Sequence, residues 1–83
     1  MSRFWLTYNH SDRLLAVVIA DSSSLNNARI RAAGEIDLRA QFAEGHELDM
    51  ATAALVPAPL IGRMLSPEEA HELLDDLERR IPK

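Results

Sequence analysis

Residues 3–21 read RFWLTYNHSDRLLAVVIAD, and the two apolar runs in this stretch decide the fold. Arg3 to Tyr8 carries three of the chain's four aromatic residues, and aromatic and β-branched side chains favour strands. Leu14 to Asp21 is a second strand-sized run. The polar connector Asn9 to Arg13 is short, so the two runs should form an antiparallel hairpin. If the connector spans residues 9–13, Tyr8 lies opposite Leu14 and the other pairs follow by counting. Side chains alternate across a strand. One face then carries Phe4, Leu6, Tyr8, Leu14, Ala16 and Val18. The other carries Trp5, Thr7, Leu15, Val17 and Ile19.

A sheet with one wet side should alternate apolar and polar residues. This hairpin is apolar on both sides, so something must cover each. Burying one large side chain is worth roughly 1.5–3 kcal/mol. Leaving Trp5, Leu15, Val17 and Ile19 wet would forfeit several such terms and expose a patch of the kind that marks interaction sites. Two arrangements answer the problem. The helix expected at 25–33 could cover one face and the C-terminal helices the other. Alternatively, the face of Trp5, Leu15, Val17 and Ile19 docks on another protein, first of all on a second copy, because symmetric dimers are the commonest oligomers.

Downstream of the hairpin, Ser22, Ser23 and Ser24 offer helix caps. Leu25 to Ala33 follows as a helix with Leu25, Ala28 and Ala32 on one face and Gly34 as a left-handed terminator. A rival reading continues this helix to Arg39. Ile36, Leu38, Ala40 and Phe42 alternate with polar residues, which places a third strand near 40–48. Gly45 inside it marks a bulge or a close backbone approach. Asp49 can cap a short helix ending near Pro57. The stretch 57–65 reads equally as a helical turn or a short edge strand. Ser66, Pro67 and Glu69 then spell a capping box with proline at the first helical position. The helix they open should run to Ile81, with Ala70, Leu73, Leu74, Leu77 and Ile81 as its apolar stripe. The expected fold is one small α+β domain over residues 1–83. Its order is ββαβ followed by two or three helices, with an antiparallel or mixed sheet packed by helices.

Composition narrows the classes of function. The 83 residues hold no cysteine, which removes disulfides and thiolate metal sites and favours a cytoplasmic setting. No apolar run approaches the roughly 20 residues of a membrane span, and Met1 to Arg13 has no signal-peptide pattern. The net charge is −4, with residues 1–41 at +1 and residues 42–83 at −5. That balance disfavours general nucleic-acid binding, which draws on Lys and Arg. Eight of the nine basic residues are Arg, as codon usage in a GC-rich bacterial genome would give. Three glycines, at 34, 45 and 62, write no phosphate-cradling loop. No G-x-S-x-G elbow surrounds the serine run.

Two local groups carry alternatives. Arg29, Arg31 and Arg39 could let a small regulatory domain contact nucleic acid, although Arg29 and Arg31 diverge by about 200° on a helix. His46, Glu47 and Asp49, with His71, could serve a metal-dependent subunit, but their spacing matches no ligand pattern. His71 and Asp75 form an i,i+4 pair on a charged helix face. The strand–strand–Ser–helix opening is similar to small bacterial antitoxin-like domains. That resemblance lies in ββα patterning, and no motif residue carries a function over. The sequence therefore points to a non-enzymatic module acting by protein–protein association. No catalytic, cofactor or metal residues are assigned and no small-molecule substrate is identified.

Overall fold

A computed structural model describes residues 1–34, 36, 39 and 41–80. β1 (Ser2–His10) pairs antiparallel with β2 (Arg13–Ser22), as the two apolar runs require. The connector is tighter than residues 9–13. Only Ser11 and Asp12 turn, with φ of 50° and 63°. Two successive left-handed residues form a hairpin turn whose twist matches that of its strands. Short polar side chains such as Asp tolerate this conformation best.

The register also differs from the count. Tyr8 lies opposite Ala16 and Asn9 opposite Leu14, so Leu15 is the extra residue of a β-bulge. Residues from Ala16 onward keep the expected faces because the shift is even. Leu15, at the bulge, changes sides and packs against the cluster under α1 (Leu25–Ala33).

β3 (Gln41–Glu47) pairs antiparallel with the free side of β1. β4 (Met64–Leu65) pairs antiparallel with β2, so the strand order is β3-β1-β2-β4. The stretch 57–65 is both things its sequence allowed. Ala58–Leu60 form a 3-10 turn, and Met64–Leu65 extend the sheet. Between them Gly62 takes φ 77° and donates its N–H to the Ile19 carbonyl at 2.6 Å. A left-handed residue at this close approach is where glycine costs least.

Each sheet face has its own cover. On one side Phe4, Leu6, Tyr8, Ala16 and Val18 pack with Ala28 and Ala32 of α1 and with Ile36. On the other, Trp5, Val17 and Ile19 pack with Val56, Leu65 and the α3 (Pro67–Arg80) residues Ala70, Leu73 and Leu77. Leu48, and Leu55 of α2 (Met50–Leu55), complete that second layer. This overturns the expected partner interface. Trp5 is 6% exposed, Val17 1% and Ile19 0% within one chain, and Leu15 lies in the opposite layer. The physical reason is economy of helix. The nine residues of α1 and the fourteen of α3 suffice for a sheet whose central pair is only two strands wide.

The helix boundaries follow their caps. Ser24 accepts from Asn27 N–H, and Asp49 accepts from Thr52 N–H. At α3 both capping-box bonds form: Glu69 N–H to Ser66 Oγ at 3.1 Å, and Ser66 N–H to Glu69 Oε1 at 3.3 Å. Gly34 does follow α1, but with φ −69° it ends the helix in the right-handed region. Leu38, Ala40 and Ile81, and part of the rival extension of α1 to Arg39, lie outside the described residues.

Candidate functional site

The second layer is not sealed at its edge. Where β3 ends and α2 begins, a cleft of about 490 Å³ opens toward the C-terminal half of α3. Its lining combines the apolar Trp5, Leu48, Leu74 and Leu77 with the polar His46, Glu47, Asp49, Thr52 and Glu78. Strand register places Trp5 opposite His46 on neighbouring strands, which brings the indole to this opening. Leu74 belongs to the apolar stripe of α3 yet remains 41% exposed.

The polar rim is unevenly engaged. Asp49 is occupied: hydrogen bonds from the Thr52 side chain and then its backbone N–H hold its carboxyl below the ordinary range. His46 Nδ1 lies 4.0 Å from Glu44 Oε1, an exposed and loose contact. Glu47 and Glu78 have no ion-pair partner among the described residues. Trp5, though nearly buried, donates its indole N–H to no acceptor among the described residues. The sealed side-chain polar atom without a partner is the Tyr8 hydroxyl, so the Trp5 N–H is still reached by solvent.

The His46, Glu47 and Asp49 group thus meets around a cleft, but as a rim. Among the described residues no three His, Asp or Glu side chains are placed to hold a metal ion. His71 instead approaches Asp75 at 3.8 Å on an exposed face of α3.

The three arginines separate. The Arg29 guanidinium lies 4.0 Å from the centroid of the Phe42 ring, a cation–π contact. Phe42 in turn meets Tyr8 edge-on at 5.8 Å. Arg31 reaches back to the Asp21 carbonyl at 3.4 Å. The Arg39 carbonyl lies 3.3 Å from His10 Nδ1 at the hairpin end. No common basic stripe results.

One arginine that the sequence did not single out has the largest structural role. Arg3 forms a two-point contact with Asp21, Nε to Oδ1 at 2.7 Å and Nη2 to Oδ2 at 3.0 Å. Its third nitrogen donates to the Ala53 carbonyl at 2.6 Å. The Arg3 hydrogen bonds hold the Asp21 carboxyl below its ordinary range, and Asp21 raises Arg3. This clamp ties α2 to the sheet and so fixes the wall of the cleft. Neither Glu78 nor Leu74 could be assigned to the cleft from spacing alone, because they meet β3 only through the fold. Comparison with known proteins gives no matching family model, no matching curated protein and no matching solved structure.

Proposed function

We propose that this chain is a non-enzymatic, cytoplasmic, bacterial-type association module whose sheet continues across a two-fold axis into a second copy. The joining element is the edge of β3 that no strand pairs among the described residues, in place of the apolar face of Trp5. The observation that carries this reading is the hydrogen-bond phase of β3. Leu48 N–H donates to the Arg3 carbonyl at 2.8 Å. Such pairs recur every second residue in an antiparallel ladder. The backbone groups of His46 and Glu44 therefore turn toward β1, and those of Gly45 and Glu47 point outward.

The two edges of the sheet are unequal. β4 has two residues and templates little, whereas β3 has seven. β3 carries neither proline nor lysine, the residues that usually block an edge. A two-fold axis at Gly45 lets two copies exchange both hydrogen bonds there. It sets Glu44 of each copy opposite His46 of the other in the closer, non-hydrogen-bonded pairs. A carboxylate and an imidazole then meet twice across the axis. Absence of cysteine supports the cytoplasmic setting, and the Arg-rich base usage supports the bacterial one.

Sedimentation across a concentration series tests the reading. The expected result is a species of twice the 9.3 kDa chain mass, with slowed amide exchange at Gly45 and Glu47. Glu44→Lys places a lysine on the edge and is expected to give a folded monomer with unchanged circular dichroism. A wild-type chain that stays monomeric at millimolar concentration would overturn the proposal, as would a Glu44→Lys chain that dimerises equally well.

A further inference from the structure

We infer that the cleft between β3, α2 and α3 is a docking site for a basic, amphipathic peptide segment of a partner protein. Four features of its lining define the ligand. The floor is apolar, built from Trp5, Leu74 and Leu77. The rim carries Glu78, exposed and unpaired among the described residues, and adjoins Glu47 at the end of β3, whose strand position is on the α1 side opposite Phe4. The Trp5 indole N–H is a donor without an acceptor, on a side chain only 6% exposed. The cleft volume of about 490 Å³ lies within the range of specific ligand sites.

Each feature selects one part of a peptide. A main-chain carbonyl accepts from the indole N–H, which solvent reaches and which no acceptor among the described residues engages. A leucine-sized side chain covers Leu74, whose exposure on an otherwise buried stripe is then explained. An arginine or lysine head meets Glu78, and its methylene stem lies along the apolar floor. Asp49 contributes field but not a free contact, since Thr52 already engages it. The strongly acidic balance of residues 42–83 steers such a cation toward this side of the molecule. A purely apolar ligand would waste the rim, and an anion would be repelled by it.

This site shares His46 and Glu47 with the edge that joins two copies, but it opens on the α3 side of the sheet and Glu44 does not line it. Trp5 is the sole tryptophan, so its emission reports the cleft directly. The probe is a blocked five-residue peptide alternating arginine and leucine. Its glutamate–leucine counterpart and arginine amide serve as comparisons. The titration is run on the wild-type chain and on Glu44→Lys, so that failure of the dimer and failure of the cleft are distinguishable.

Saturable change of Trp5 emission by the arginine–leucine peptide is expected in both proteins, weakening as salt rises. Glu78→Gln should weaken binding about two- to fivefold, and Glu47→Gln less. Leu74→Ser should weaken it further, and Glu68→Gln, outside the cleft, should leave it unchanged. No saturable change below millimolar peptide would overturn the inference. So would equal binding of the acidic peptide, or arginine amide binding as tightly as the whole peptide. In Glu44→Lys, whose edge does not pair, emission that changes on dilution alone would show the cleft filled by a second copy and would equally overturn it.

Discussion

At the residue scale, Tyr8 is the point of tension in the first layer. The residue is 4% exposed, and its hydroxyl is sealed with no hydrogen-bond partner among the described residues. An unpaired buried hydroxyl costs roughly 1–3 kcal/mol. Tyr8→Phe is therefore expected to stabilise the protein by about 1 kcal/mol, read as a higher denaturant midpoint with an unchanged slope. The same burial, opposed by the Arg29 charge, raises the Tyr8 pKa above its ordinary value. A raised folded-state pKa means that the unfolded chain ionises first. The stability contribution is thus complete below the ordinary tyrosine pKa of about 10 and is lost as pH rises beyond it. In Tyr8→Phe that alkaline loss should shrink. Gly45 is the opposite case, a residue whose smallness is used. A Cβ there would stand 2.7 Å from Phe42 Cζ and 2.9 Å from Leu25 Cδ1. The sequence marked Gly45 as a bulge or a close backbone approach, and it could not show that side chains do the approaching.

At the scale of the element, the helices obey their local signals. α3 starts at Pro67 because Ser66 and Glu69 satisfy each other's backbone N–H groups. Ser66→Ala is expected to destabilise the protein by about 1 kcal/mol, with the loss measured by thermal or chemical unfolding. Acids open this helix and arginines close it, as its dipole favours. These features were legible because capping joins residues three apart in sequence. The hairpin register was less legible. Counting from an assumed connector gave Tyr8 opposite Leu14, whereas the two-residue turn at Ser11–Asp12 and the bulge at Leu15 put Tyr8 opposite Ala16. Turn type and bulge position depend on how both strands settle onto the helices, so no local rule supplied them. The stretch 57–65 was ambiguous for the same reason. Its 3-10 turn and two-residue strand form only because β2 presents a free edge to receive them.

For the whole molecule, the deciding fact is that two helical layers cover both faces of the central hairpin. Trp5 is consequently a core residue with one side at an open cleft. Trp5→Asp should then unfold the chain instead of releasing a soluble monomer. A buried unpaired carboxylate and a lost indole together cost several kcal/mol, comparable to a total stability of roughly 4–12 kcal/mol for this length. Loss of the circular dichroism signal at low temperature would be the measured outcome; a folded, monomeric Trp5→Asp protein would contradict the burial. By itself the sequence determined the α+β class and the order of the elements outside 57–65, and it identified an apolar sheet that had to be covered on both sides. Those properties are local: periodicity of two, periodicity of 3.6, and caps a few residues apart. What covers the second face was decided only in three dimensions, because it depends on α3 reaching back more than fifty residues to lie over Trp5, Val17 and Ile19. The same return of the chain sets Leu74 and Glu78 beside Glu47 and makes the cleft. Burial is a sum over distant contacts, and no stretch of sequence contains that sum.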